Sequence, residues 1–313
     1  MHNDKLQEGS NENPDEQKNT ETLKQLLPYV KTGNCVLFLG AGVHAPPPVD
    51  SPYKTAEDQP FLTGGSLSEL LAGECNYKER FPKAPITDLQ RVSLYYEHTR
   101  KRASLVDSLT THLTPPKREP TAALEMLAAL PFKIFITTNY DPYLELALQR
   151  VNKKNPVVRI YDPSPSKPTE DIADDPTLDK PLVVKIHGDL NLRDSIVITD
   201  EDYITFIQRM SEKDALHPVP QTARFRMLKW PTLFVGYSLR DYNLRLLFRT
   251  LRWHVDSANF PPSFSLDTDP DPLILTVYQD QRQFVTFVTR DLWTVVPELY
   301  EEIYGQKYTT GRR

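Results

Sequence analysis

Four short clusters along the chain carry side chains able to do chemistry: Gly40-Ala41-Gly42, Thr138-Asn139-Tyr140-Asp141, His187-Gly188-Asp189, and Gly236-Tyr237-Ser238 with Asp241 just beyond. Glycines without a Cβ let a backbone approach a phosphate closely. The carboxamide of Asn139 and the carboxylate of Asp141 can orient a polar substrate and a water. The imidazole of His187 exchanges protons near neutrality, as a general base must. A hydroxyl at Ser238, with backbone donors and Asp241 beside it, suits a ribose or a phosphate. Each cluster also has a plainer reading. The glycine pair can be only a tight turn, and His187 can be a satisfied core histidine. Asn139 can cap the next helix, although Asp141 is better placed to do so, and Ser238 and Asp241 can simply start a helix. Their common context is what joins them: each follows directly on a short apolar run.

Those runs are 35–39, 134–136, 182–186 and 233–235, with another at 273–277 and weaker ones at 157–160 and 196–198. Residues apolar at successive positions suit strands covered on both faces, as in parallel sheets. Helical patterns lie between them. Pro120 followed by TAALEMLAAL places proline in a first turn, and Asp141-Pro142 followed by YLELALQRV combines a carboxylate cap with proline at the first helical position. Asp241 opens YNLRLLFRTLRWH, whose leucines and phenylalanine are spaced for one buried face. Strand and helix in alternation predict an α/β fold with a doubly wound, Rossmann-like parallel sheet. Ligands bind outside the carboxyl ends of the strands in such a sheet, so four clusters at strand ends describe a single site.

The bulk properties bound the setting. With 313 residues, 39% hydrophobic and 25% charged, the chain can bury a substantial core. A net charge of −5 argues against a general nucleic-acid footprint. Two cysteines, Cys35 and Cys75, make neither a disulfide framework nor a four-thiolate zinc site, and no metal is expected. The polar, acidic N-terminus resembles neither a signal nor a transit peptide, and no apolar run approaches the roughly 18 residues of a membrane span. The expected location is the cytoplasm. Residues 1–20 lack apolar periodicity and read as a disordered tail; residues 21–313 read as one catalytic domain, with helical insertions at about 61–118 and 200–229. Two proline-rich stretches, 44–60 and 162–181, read as exposed loops.

Gly40, Gly42 and Ala45 satisfy G-x-G-x-x-A, the turn of dinucleotide-binding dehydrogenases. That turn requires a helix to begin at once, whereas Pro46-Pro47-Pro48 remove donors and clash with a continuing helix. A long loop after the glycines fits better.

GAGVHAP, TTNYDPYLE, KIHGDL and GYSLRDYNLRLL, in that order over roughly residues 33–245, resemble the motifs of the sirtuin family. The last segment looks particularly like the sirtuin-like domains of bacterial anti-phage defence proteins. The resemblance implies an NAD-binding doubly wound domain with a smaller helical module, and cleavage of the nicotinamide–ribose bond. It places Gly40, Ala41 and Gly42 against the pyrophosphate, the 44–60 loop over the nicotinamide ribose, and Thr138, Asn139 and Asp141 at the nicotinamide end with an attacking water. It makes His187 the general base, with Gly236, Ser238 and Asp241 on the phosphate and adenosine side. Deacylating sirtuins also carry two CxxC zinc pairs and a proline-aspartate-phenylalanine-arginine loop segment, and neither occurs here. An NAD hydrolase is therefore implied, with NAD as substrate and no metal. The alternatives are an NAD-dependent deacylase or ADP-ribosyltransferase, and a non-catalytic sensor of NAD or ADP-ribose. The family further implies a homo-oligomer, and a sensing subunit on a separate polypeptide such as a HerA-type hexameric ATPase. The acidic tail and the segment 293–304 are candidate contacts, with core packing the plainer and preferred reading of the latter.

Overall fold

The computed structural model describes residues 14–54, 62–164, 167, 169–212, 217–237, 261–280 and 285–309. Seven strands form one all-parallel sheet: β1 (Val36–Leu39), β2 (Ile134–Thr137), β3 (Val157–Ile160), β4 (Leu182–Lys185), β5 (Thr232–Val235), β6 (Ser263–Leu266) and β7 (Val285–Val288). Their order is β3-β4-β2-β1-β5-β6-β7. From β1 the chain moves outward through β2 to β3 and β4, then crosses to the other side of β1 for β5. The loops after β1 and β5 therefore leave in opposite directions, which opens a crevice at their carboxyl ends. This is the topological switch point of a doubly wound sheet.

Strand periodicity explains the layers. Leu37, Leu39, Phe135, Val183, Leu233 and Val235 point to one face, where they meet Leu23, Leu26 and Val30 of α1 (Pro14–Lys31), α6 (Ala122–Ala129), α7 (Tyr143–Asn152) and α11 (Leu292–Tyr304). Val36, Phe38, Ile134, Ile136, Val184 and Phe234 point to the other, against Phe206 and Met210 of α8 (Asp200–Met210), Ala223 and Met227 of α9 (Gln221–Met227), and Ile274 of α10 (Pro272–Asp280). Both faces of each central strand are covered, as the unbroken apolar runs require. Each fully buried Phe contributes about 1.5–3 kcal/mol relative to exposure.

A third cluster stands apart from the sheet. Leu67, Leu71, Val92, Tyr96, Leu105 and Leu109 bring together α2 (Gly64–Glu74), α3 (Tyr77–Arg80), α4 (Leu89–Arg100) and α5 (Arg102–Leu113) over Leu190, Ile196 and Ile198. The helical stretch predicted at 61–118 is thus a module with its own core, whereas α8 and α9, from the stretch predicted at 200–229, lie on the sheet.

The structure corrects several local expectations. Helix α1 begins at Pro14, inside the segment read as a tail, because Asn19, Thr22, Leu23 and Leu26 bury against the sheet layer. Residues 1–13 lie outside the described residues. The run 273–277 is part of α10 and not a strand, and 196–198 is extended chain outside the sheet. Thr121 caps α6, its hydroxyl accepting from Leu124 N, so Pro120 precedes the cap. Val295, Val296 and Leu299 of α11 are core residues, which makes 293–304 a packing helix. Ser238, Asp241 and the helix predicted from Asp241 lie outside the described residues. Among the described residues, no helix is long and apolar enough to cross a membrane.

Candidate active site

The crevice at the switch point is a cleft. Ala41, Thr138, Asn139, Asp141 and His187 all line it, with His44, Arg118, Tyr140, Tyr143, Tyr203 and Tyr237. Asn139 and His187, 48 positions apart in sequence, therefore share one space, and the helical module closes one side through Leu62, Leu67 and Leu113.

The glycines serve the protein's own backbone first. Gly42 N donates to Gly236 O at 2.9 Å, and Gly40 N donates to Val235 O at 2.9 Å. A Cβ on Gly40 would stand 2.5 Å from Gly236 O, and one on Gly236, at φ +74°, would stand 2.3 Å from Val43 N. The turns after β1 and β5 approach so closely that only glycine fits. The Gly42 amide, expected to face a pyrophosphate, is thus spent on the β5 turn. Ala41, at the start of the 3-10 turn Ala41–His44, is the member of the trio that faces the cleft.

The segment after β2 is positioned from several directions. Thr137 Oγ1 donates to Leu39 O at 3.0 Å and accepts from Asn139 N at 3.0 Å, tying the end of β2 to β1. Asn139 Nδ2 donates to Gly40 O at 3.2 Å, which leaves the Oδ1 lone pairs as its offer to a ligand. The Thr138 and Tyr237 hydroxyls hydrogen-bond to each other across the crevice. Asp141 Oδ1 accepts from Tyr143 N at 3.1 Å, the helix-starting role expected of it, while Oδ2 lies 3.2 Å from His44 Nε2. Burial alone would raise the Asp141 carboxyl. His44, Lys185 and the Tyr143 amide outweigh it and hold the group down to about 2, so it is a carboxylate at neutral pH.

Lys185 is the buried staple beneath this segment. Its ammonium donates to Asp141 O at 2.7 Å and to Tyr140 O at 3.3 Å, and it pairs with Glu145, at 3.3 Å, and with Asp189. The Glu145 carboxyl is pushed up by burial in spite of Lys185. Removing the cation strands the buried Asp189 and the partly buried Glu145. Lys185→Met is expected to cost about 3–5 kcal/mol, read as a lower urea midpoint, with part of the loss restored by adding Asp189→Asn. A midpoint equal to the wild type would refute this role.

His187 follows β4 and turns at Gly188, whose φ of +93° and close approach to Ser195 O again admit only glycine. Its ring is buried edge-on to Tyr203 and Phe206, at centroid distances of 5.2 Å each. Burial pushes its pKa down to about 3, so the imidazole is a neutral acceptor at physiological pH and does not titrate near neutrality, contrary to expectation from its residue type. His217 is likewise pushed down by burial to about 4. Both folded values lie below the ordinary value of about 6.5, so between them the unfolded chain binds more protons. Stability is therefore lost as pH falls from about 6.5, at up to roughly 1.4 kcal/mol per pH unit for each histidine. Urea midpoints should drop from pH 7 to pH 5, and His217→Gln should roughly halve the drop if the two groups contribute alike. An unchanged midpoint at pH 5 would disprove it.

Sequence reasoning missed His44, Arg118, Tyr203 and Tyr237. Tyr237 sits inside one of the clusters singled out and His44 two residues past another, within GAGVHAP, but their type alone marked neither. Arg118 lies over the Tyr143 ring at 5.6 Å and reaches the cleft from the module side. His44 at the start of the proline-rich loop lines the cleft, and beyond it the described residues 45–54 pack onto α11: Trp293 Nε1 donates to Ala45 O at 3.2 Å and Tyr53 stacks on Trp293. Among the described residues, no group of three or more His, Cys, Asp or Glu is arranged to hold a metal ion.

Comparisons with known proteins agree with this architecture. Residues 133–287 match the model of the SIR2-like domain. The chain is similar to the NAD(+) hydrolase ThsA of Enterococcus faecium, 25% identical over 232 residues that cover 74% of this chain and 42% of that protein. It is also similar to the NAD(+) hydrolase ThsA of Acinetobacter baumannii (strain 532279), 29% identical, covering 66% of this chain and 42% of that one. Defense-associated sirtuin 2 of Bacillus subtilis is 26% identical, covering 81% of this chain and 22% of that protein. The chain spans less than half the length of each of these relatives. The all-parallel doubly wound sheet and the cleft at its switch point thus accompany a segment, from just before β2 into β7, that is similar to the SIR2-like domain over slightly less than half of the chain.

Proposed function

We propose that this chain hydrolyses NAD at the nicotinamide–ribose bond, giving nicotinamide and ADP-ribose, and acts as an NAD-depleting effector in defence against phage. The observation that carries the reading is the meeting of Asn139, Asp141 and His187 in one cleft at the switch point. The names of the similar proteins support it.

The chemistry asks little of the protein beyond placement and charge. Nicotinamide leaves as a neutral molecule from a cationic ring, and the transition state resembles an oxocarbenium ion. The Asp141 carboxylate, ionised and nearly buried, supplies a negative potential to the developing positive charge. Asn139 Oδ1 accepts from a ribose hydroxyl or from the attacking water. His187, neutral and walled by aromatic rings, accepts the hydrogen bond of that hydroxyl or water and orients it. The aromatic and aliphatic walls limit competing water, so the polar groups act at low dielectric. The water adds its oxygen to the anomeric carbon, the C–N bond breaks toward nicotinamide, and one proton passes to solvent.

On this reading the chain works in the cytoplasm as a homo-oligomer, with a separate sensing subunit such as a HerA-type ATPase. The test is to incubate the full chain with NAD and measure free nicotinamide, with and without a protein acceptor. Nicotinamide and ADP-ribose in equal amounts without acceptor support hydrolysis. Dependence on an acceptor favours acyl or ADP-ribosyl transfer, and binding without release favours a sensor. The native mass, with and without the product of a neighbouring gene, tests the assembly.

A further inference from the structure

Among the buried groups of the cleft to which the reaction above assigns no task is His44. His44 ends the 3-10 turn after β1, and its ring is only 7% exposed. Nε2 lies 3.2 Å from Asp141 Oδ2 and 3.3 Å from Asn139 Nδ2, and the ring meets that of Tyr143 edge-on at 5.7 Å. These polar neighbours are two of the three groups proposed for catalysis, and both sit on the loop after β2, while His44 comes from the loop after β1. Tyr143 N already occupies Asp141 Oδ1, so Oδ2 is the oxygen left for His44. An ionised carboxylate there requires Nε2 to carry its hydrogen and donate it. With Nε2 a donor, the Asn139 amide hydrogens are directed to Gly40 O, and the His44 ring packs beside the amide at 3.3 Å.

We propose, resting on the NAD-cleavage reading, that His44 is a positioning residue that holds Asp141 and Asn139 in the arrangement cleavage requires. It acts through those two side chains and couples the glycine turn to them. Small misplacements are costly in such a site: a shift of about 1 Å can lower a rate by about 10²-fold.

The test uses the full chain with His44→Phe, which keeps a ring against Tyr143 but removes Nε2, and His44→Gln, which restores a donor at similar reach. The expected result for His44→Phe is a kcat lower by about 10²-fold with KM within about threefold of wild type, partly recovered in His44→Gln. A second readout needs no turnover. In protein labelled with ¹⁵N-asparagine, the Asn139 side-chain signals, identified by their loss in Asn139→Ala, should shift in His44→Phe and move back in His44→Gln. Unchanged Asn139 signals, or a wild-type kcat in His44→Phe, overturn the proposal. Asn139 signals that shift in His44→Phe and return in His44→Gln, in a protein whose wild-type form releases no nicotinamide, uphold the positioning role and sink the NAD-cleavage reading instead.

Discussion

Asn139→Ala should leave the chain folded and reduce nicotinamide release by about 10²–10³-fold, the effect of removing one preorganised polar contact to a transition state. The side chain rests on Gly40 O at the surface of a cleft and fills no core void, so its loss should cost little stability. His187→Ala should lower the rate by about 10²–10⁴-fold, as loss of a positioned acceptor does. Its ring is buried between Tyr203 and Phe206, so thermal melting must accompany the assay, with His187→Gln as the variant that refills part of the space. The two variants answer different questions. Asn139→Ala asks whether the segment after β2 touches substrate, and His187→Ala asks whether the turn after β4 does. Normal NAD consumption by both would sink the site assignment, whatever the family.

Gly236→Ala and Gly188→Ala should be the most damaging glycine-to-alanine substitutions among the described residues. At Gly236 a methyl group would lie 2.3 Å from Val43 N, on a backbone at φ +74°. At Gly188 it would lie 2.2 Å from Ser195 O, at φ +93°. The unfavourable backbone costs about 1–2 kcal/mol alone, and the clash with neighbouring backbone adds to it, for a total of about 3 kcal/mol or more. Gly305 separates the two contributions. It also has positive φ, at +68°, but a Cβ there meets nothing within 4 Å, so Gly305→Ala should cost only the backbone part, about 1–2 kcal/mol. Urea midpoints of the three variants decide the matter: equal losses would show that the approach of the β1 and β5 turns is not a constraint.

Much of the fold was legible because parallel strands buried on both faces write themselves as unbroken apolar runs. VLFL of β1, IFIT of β2, LVVK of β4 and TLFV of β5 are such runs, and all four lie in the centre of the sheet. The edge strand β3 was legible as the weaker run 157–160, whereas β6 and β7 at the other side were not. β6 reads SFSL, its serines breaking the apolar run, and β7 reads VTFV. PLILTVYQD of α10 has strand-like composition, yet Asp271 starts a helix there by accepting from Leu273 N and Ile274 N. Local composition favours extended chain at that point, and the cap together with packing of Ile274 on the sheet prevails.

The clusters of polar residues at strand ends were equally plain, because a ligand site on such a sheet has to be built there. Their division of labour was not. Residue type suggested a histidine that titrates near neutrality, whereas burial makes His187 a neutral acceptor. Spacing suggested glycines bare for a phosphate, whereas Gly42 and Gly236 are bare for each other.

The amino-acid sequence by itself determined which segments become the four central strands, that both sheet faces are covered there, and which residues stand at their carboxyl ends. Those properties follow from contacts between near neighbours and from the two-residue period of a strand. The tertiary structure alone decided that the β1 turn lies against the β5 turn, that His44 reaches Asp141, and that Lys185 sits beneath Tyr140 and Asp141. These pairings depend on strand order across the sheet, which joins residues 44 to 196 positions apart in the chain. No local pattern encodes which loop a loop will meet; the choice is made when the strands find their neighbours and the burial of the whole sheet selects one arrangement.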